Sequence, residues 1–288
     1  MMQLAKKLVP APIRALRWRA RWMRHAPAYA AAPLQSWQRA LGFTLREMSG
    51  GEFAFRTPDG MVMHTMPNNF SSFAMAVGGA RDPEIWRLIE RRLRRGMTFV
   101  DAGANIGAYT LPAARLVGPE GRVVSFEAHP VTYRLLARNV AENGLANVLA
   151  LNEALGEEAG TLTLAFTAAN PGETHVAADG ETGAQVPVTP LDAALTARGV
   201  AGVDYLKIDV EGFELPVLRG ALGTIRANPG LLIQTELQER HAARYGTDIG
   251  EIVALLRGEG LSPHVVDGEG RLQPVTGPVR GDIIWARG

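Results

Sequence analysis

The residues most able to do chemistry sit together at Asp101-Ala102-Gly103-Ala104-Asn105-Ile106-Gly107, a carboxylate followed by two glycines at the end of the apolar run Met97–Ala102. Gly103 and Gly107 permit tight turning and close backbone approach, and a helix beginning after them would offer unpaired N–H groups to a ligand. Dinucleotide-binding turns use G-x-G-x-x-G and rest a pyrophosphate on the helix start. Here the spacing is Gly-x-Asn-x-Gly, and Asp101 would repel a pyrophosphate. An anion in that place suits a ligand carrying an ammonium and a sulfonium, as S-adenosylmethionine does. Phe126-Glu127 closes a second apolar run 24 residues past Gly103. An acid there accepts hydrogen bonds from ribose hydroxyls.

Further along, Tyr205, Lys207, Asp209 and Glu211 alternate and therefore share one face of a predicted strand. A lysine in a buried strand demands a carboxylate partner. A structural ion pair is preferred here to a catalytic lysine. Asp209 and Glu236 end neighbouring predicted strands and are candidate catalytic groups. They could position a substrate, face the cofactor's positive charge, or hold Mg²⁺, which takes oxygen ligands; Mg²⁺ is not the preferred reading, and no metal ligand is assigned. His241 is the candidate general base, with His129 and His175 as further imidazoles. Asn170, Thr174 and His175 could shape a substrate pocket. Each histidine also reads as an ordinary surface residue.

The elements that must hold these groups follow from the hydrophobic period. Strands are expected at Met97–Ala102, Arg122–Glu127, Val148–Leu151, Tyr205–Glu211, Leu231–Leu237, Pro263–Asp267 and Asp282–Trp285. Helices are expected at Gly103–Val117, Val131–Asn143, up to Asn228, and at Thr247–Arg257. Alternation of this kind implies βαβ units and a doubly wound, mostly parallel sheet. Thr167–Thr189 is polar and glycine-containing and reads as one long irregular loop. Ahead of the sheet, Glu52–Arg56, the turn Pro58-Asp59-Gly60 and Met61–His64 read as a hairpin. Asp82-Pro83 reads as the start of a helix reaching Arg95. Three regions result: a basic amphipathic arm (1–40), a lead-in hairpin and helix (41–96), and the ligand-binding domain (97–288).

The stretch from Phe99 to Glu236 resembles the FkbM-type methyltransferase family. The resemblance rests on Val100–Gly107, Phe126-Glu127, Asn152-Glu-Ala-Leu-Gly156, Thr189-Pro-Leu-Asp192, Leu206-Lys-Ile-Asp-Val-Glu-Gly-Phe-Glu214 and Val217-Leu-Arg-Gly220. It implies a class I (Rossmann-like) α/β methyltransferase fold, S-adenosylmethionine as cofactor, and O-methylation of a sugar, glycolipid or natural-product hydroxyl. N- or C-methylation remains the alternative. It also implies cofactor contacts from Asp101, Gly103, Asn105, Gly107, Glu127, Ala128, Glu153, Ala154 and Asp209, with Glu153 near the adenine. Ala128-His129 departs from the family, which commonly places proline after the ribose-binding acid.

Among the 288 residues there is no cysteine, which excludes disulfides and zinc–thiolate sites. No run of about 18 apolar residues suggests a transmembrane helix. The net charge of +1 hides an asymmetry, because the chain up to Arg46 carries nine Lys or Arg and no Asp or Glu. The remainder is acidic, so no nucleic-acid partner is expected. On a helical wheel from Pro12 to His25, Arg14, Arg17, Arg21 and Arg24 form a stripe beside Ile13, Leu16, Ala20 and Met23, flanked by Trp18 and Trp22. That suits an anionic membrane surface or packing on protein, including a second copy. A cytoplasmic enzyme is the expected setting, peripheral at the inner membrane surface if the arm binds lipid rather than protein. A nicotinamide-dependent oxidoreductase and a non-catalytic scaffold are the rivals.

Overall fold

The computed structural model describes residues 19–24, 27–167, 170–176 and 183–288. Most of the wheel drawn from Pro12 to His25 lies outside these residues. The chain forms two compact units, one holding the described residues up to Pro83 with 167–172, the other 84–166 with 173–288.

In the first unit a short helix, α1 (Pro27–Ala31), precedes α2 (Pro33–Met48), followed by the hairpin β1 (Phe53–Arg56) and β2 (Val62–Thr65) and helix α3 (Phe70–Gly78). The expected hairpin forms, with Phe53 opposite Thr65 and Arg56 opposite Val62. Its core is aromatic: the Phe43 ring meets Phe53, Phe55 and Phe73 edge-on at 5.1, 5.4 and 5.7 Å. Residues Arg19–Met23 are helical and turn inward, with Arg19 and Met23 buried. Arg19 grips Glu47 through two bonds, 2.6 and 2.9 Å, and its guanidinium lies 4.7 Å from the Phe73 ring centre.

The second unit opens with α4 (Pro83–Arg92) and carries an eight-stranded sheet. Its strands are β3 (Thr98–Ala102), β4 (Arg122–Phe126), β5 (Val148–Leu151), β10 (Tyr205–Ile208), β11 (Leu232–Leu237), β12 (Ser262–Val266), β13 (Leu272–Pro274) and β14 (Gly281–Ala286). Their order is β13-β12-β14-β11-β10-β3-β4-β5. Strands β5, β4, β3, β10 and β11 are parallel, whereas β14 runs antiparallel between β11 and β12. The order reverses direction at β3, and in open α/β sheets the carboxyl end of such a reversal point is where ligands bind. One face of the sheet (Phe99, Val123, Tyr205, Leu232, Ile284) packs on α4 and on α5 (Thr110–Val117). The other face (Val100, Val124, Leu206, Ile233, Trp285) packs on α7 (Leu191–Thr196), α8 (Glu214–Arg219), α9 (Leu222–Ala227) and α11 (Ile249–Gly258). Helix α6 (Pro130–Glu142) joins β4 to β5, and α10 (Glu239–Ala242) follows β11. This is a doubly wound α/β architecture, as the alternation of strands and helices implied.

Three expected elements differ. Helix α5 begins at Thr110 rather than Gly103, because positive φ at Gly103, Asn105 and Gly107 prevents helical continuation. Strand β10 stops at Ile208 rather than Glu211, since Glu211 has φ +54°. The segment expected as one loop contains β8 (Asn170–Val176) and β9 (Ala184–Thr189). With β6 (Ala154–Leu155) and β7 (Gly160–Thr167) they form a four-stranded sheet ordered β6-β9-β7-β8. The reason is the alternation of β9, where Val186 and Val188 turn inward onto Leu164 and Ala154.

Candidate active site

The turn after β3 is held by the strands around it. The N–H groups of Gly103 and Ala104 donate to the Phe126 carbonyl at 3.0 and 2.9 Å, and Asp209 N–H donates to the Ala102 carbonyl at 3.0 Å. A Cβ at Gly103 would run into the Asp209 carbonyl, so only glycine fits this crossing of the β3 and β10 ends. Asn105, at φ +51°, turns its side-chain oxygen to the Ile106 N–H at 2.8 Å. Asn139 on α6 reaches the Ile106 carbonyl at 2.9 Å and fixes the far side of the turn.

Beneath the turn lies a buried polar group. Lys207 Nζ is 3.1 Å from Asp101 Oδ1, 3.6 Å from Asp209 Oδ2 and 3.2 Å from the Gly103 carbonyl oxygen. It also sits 5.2 Å from the centre of the Tyr109 ring, a cation over an aromatic face. Thr110 donates to Asp101 Oδ2 at 2.7 Å and shares a hydrogen bond with Ser125 at 2.7 Å. Tyr205 donates to Gln234 Oε1 at 3.0 Å, and Gln234 Nε2 donates to the Tyr109 oxygen at 3.3 Å. Burial, with Asp282 adding repulsion, holds the Tyr205 phenol far above its usual range, so it keeps its proton as donor. The carboxylate partner expected for Lys207 is therefore present twice, as Asp101 and Asp209. Asp101 itself has no exposed surface. Its carboxylate oxygens are engaged by Lys207 and Thr110 beneath the turn.

Glu127 follows β4, level with Gly103 in the register. Its Oε2 accepts from Asn105 N–H at 2.8 Å and its Oε1 from His129 N–H at 2.9 Å. Burial raises its pKa to about 7, partly offset by those two amides. Asn152 closes the same loop from below, its amide donating to the Glu127 and Ala128 carbonyls at 2.9 Å each. His129 caps α6 through Thr132 N–H. Glu153 forms an ion pair with Arg198, and Ala154 is buried in β6.

At the opposite wall, the register pairs Ile208 with Thr235, so the next residues, Asp209 and Glu236, stand level at the sheet edge. Glu236 in turn pairs with Asp282 on β14 and accepts a hydrogen bond from Gln238. Beyond Asp209 the chain turns through Glu211 and Gly212, and a Cβ at Gly212 would meet the His241 carbonyl. His241 Nδ1 lies 3.1 Å from Glu211 Oε2, and the imidazole is buried. Glu214 Oε1 accepts from the Val210 and Gly212 N–H groups at 3.3 and 3.1 Å, while burial raises its pKa to about 7. Glu211 thus leaves the face shared by Tyr205, Lys207 and Asp209 and turns to His241.

The structure brings Asp101, Gly103, Asn105, Gly107, Glu127 and Asp209 to one edge, with Glu236 beside Asp209. Asn170, Thr174 and His175 fall in β8, and their side chains lie outside the described residues. Sequence reading missed Thr110, Ser125, Asn139 and Gln234, since nothing in their local spacing marks them. For Glu211 and Glu214 the signal was there in the Glu-Gly-Phe-Glu run.

The Methyltransferase FkbM domain family matches residues 101–262. Methyltransferase sdnD of Sordaria araneosa is 33% identical over 154 residues, covering 42% of this chain and 59% of that protein. Methyltransferase 1 of Beauveria bassiana is 32% identical over 143 residues, 42% of this chain and 57% of its own length. The 31-O-demethyl-FK506 methyltransferase FkbM of Streptomyces tacrolimicus is 29% identical over 201 residues, 59% of this chain and 74% of that one. The chain thus spans under three fifths of the first two relatives. Methyltransferase FkbM from Methylobacillus flagellatus KT, a solved structure, aligns at 17% identity with TM-score 0.42, over 75% of this chain and 54% of that one. With the family's matched segment running from the first residue of the glycine turn through β10 and β11, the chain belongs to the FkbM methyltransferase family.

Proposed function

We propose that this chain is an S-adenosylmethionine-dependent methyltransferase acting on a hydroxyl oxygen of a small molecule, such as a sugar, glycolipid or natural product. The supporting observation is the pairing of the Gly103 turn with Glu127 at the reversal point of the sheet. The Gly103 turn leaves no room for a side chain, and Glu127 uses two of about four lone-pair sites on backbone amides, keeping the others for ribose hydroxyls. When bound, the cofactor supplies a methyl carbon already activated by a sulfonium leaving group. Gly103, Asn105, Glu127 and Ala128 would hold it, with Asp209 at the side where Lys207 anchors the wall. Asp101 fixes Lys207 and needs no contact of its own. The O-methyl acceptor is favoured by the relative named for 31-O-demethyl-FK506.

The chain's own catalytic work is then alignment and removal of one proton. His241, oriented by the Glu211 carboxylate at 3.1 Å, is the proposed base for the acceptor hydroxyl. Asp209 and Glu236 position that hydroxyl. Among the described residues no three His, Cys, Asp or Glu side chains are arranged to hold a metal ion.

The test is single-turnover transfer of labelled methyl to a panel of hydroxylated sugars and macrolides, alongside calorimetry with the demethylated cofactor. Wild type should label an oxygen and bind at micromolar concentration. His241→Gln should slow transfer by about 10²–10⁴-fold while binding holds, the span of general-base catalysis. Gly103→Val should lose binding. Undiminished transfer in His241→Gln rejects the base. A rate abolished by EDTA and restored by Mg²⁺ replaces metal-free positioning with a carboxylate-bound ion. Unaltered binding in Gly103→Val rejects the cofactor site.

A further inference from the structure

The first unit carries an exposed apolar surface of its own. On α2, Leu34, Trp37, Leu41, Leu45 and Met48 are 79, 37, 58, 58 and 46% exposed. Their spacing of three, four, four and three residues puts all five on one face of the helix. The other large exposed hydrophobic residues among those described, Val131, Leu149 and Val265, are scattered through separate elements. The face is not needed to hold α2 in place, because Ser36, Ala40, Phe43, Thr44 and Glu47 already anchor the helix inward. A contiguous apolar stripe of this kind marks a binding surface.

We propose that this face of α2 docks the protein on an anionic lipid bilayer. Charge selects the occupant. The chain has nine Lys or Arg before its first acid, Glu47, and eleven against four up to Pro83. Glu47 is buried against Arg19, so its charge is cancelled internally. Arg21, Arg24 and Arg46 are exposed. A two-fold contact with a second copy would set this uncompensated positive charge against itself, whereas anionic headgroups complement it. Trp37, with an apolar body and a polar N–H, suits the headgroup level. Of the residues drawn on the wheel, Arg21 and Arg24 are exposed, whereas Met23 is buried and Trp22 meets Phe70 edge-on at 5.6 Å.

Co-sedimentation of the full chain with vesicles of phosphatidylcholine plus phosphatidylglycerol, and of phosphatidylcholine alone, tests this. Wild type should pellet with the anionic vesicles, and raising the salt from about 0.1 to 1 M, which shortens the screening length from about 10 to 3 Å, should release it. Leu41→Ser/Leu45→Ser, exposed positions whose change leaves the circular dichroism and melting temperature intact, should weaken binding by about 100-fold, the scale of two apolar side chains withdrawn from a nonpolar phase. Equal pelleting of the variant, or equal capture by neutral vesicles, overturns the proposal. So does an absence of vesicle binding, and sedimentation velocity then assigns the face to a second copy if wild type is dimeric and the variant monomeric.

Discussion

Lys207 is the one cation in a chain of buried polar side chains running from Tyr205 through Gln234 and Tyr109 to Asp101, Thr110 and Ser125. Such a pair is weak evidence of stability in itself, yet removing one partner leaves a charge stranded away from water. Lys207→Met is therefore expected to lower unfolding free energy by about 3–5 kcal/mol in urea titration. Adding Asp101→Asn, which leaves a neutral acceptor for Thr110, should restore more than half of that loss. A double variant as unstable as the single one would show that packing, not charge, holds this place. At this scale the sequence was partly legible. A lysine in an apolar strand announces that it needs a carboxylate, and a carboxylate before a glycine turn announces a ligand edge. That the two announcements describe a single ion pair depends on register across β3 and β10, which lies 106 residues apart in the chain.

The turn from Asp209 to Glu214 shows what an element adds. A strand read by alternation runs on to Glu211, but its backbone enters the left-handed region, and the buried Glu214 side chain satisfies the amides this leaves over. Periodicity reports which face a residue prefers and says nothing of where a backbone must turn to meet α10. The same blindness hid β8 and β9 behind polar, glycine-containing composition. Glu214 has a consequence for pH. Its folded pKa, about 7, lies above the ordinary 4.5, chiefly from burial. The folded state thus binds the proton more tightly, and this group's stabilisation is full below about pH 4.5 and lost as pH rises through 7. Glu127 has the same sign. Glu214→Gln keeps the acceptor and removes the titration. The melting temperature of wild type should fall relative to Glu214→Gln between pH 5 and 7.5, by an amount equivalent to about 1–3 kcal/mol. A difference that stays constant across that range contradicts the raised value.

For the molecule as a whole, strand order is the feature that makes the site, since it brings the ends of β4, β3, β10 and β11 into one row. The alternation of strands and helices foretold the parallel core. It did not foretell that β14 would slot between β11 and β12, because pairing order is written in no local pattern. Ile283, Ile284 and Trp285 have no exposed surface, and Trp285 Nε1 donates to Thr235 at 2.9 Å, one residue before Glu236. Ending the chain at Arg280 should therefore cost the cooperative thermal transition and expose surface that binds a hydrophobic dye. A truncated chain that melts cooperatively near the wild-type temperature would show the strand to be dispensable.

That interior position of β14 also sets a timetable for synthesis. The glycine turn, β4 and even β10 leave the ribosome with β11 still lacking the neighbour that covers its outer edge. Until residues 281–286 emerge, that edge offers unpaired backbone N–H and carbonyl groups to any passing strand. The glycine turn is thus made before the strand that closes the sheet, and the stretch between Leu237 and Gly281 is the interval in which that edge stays open.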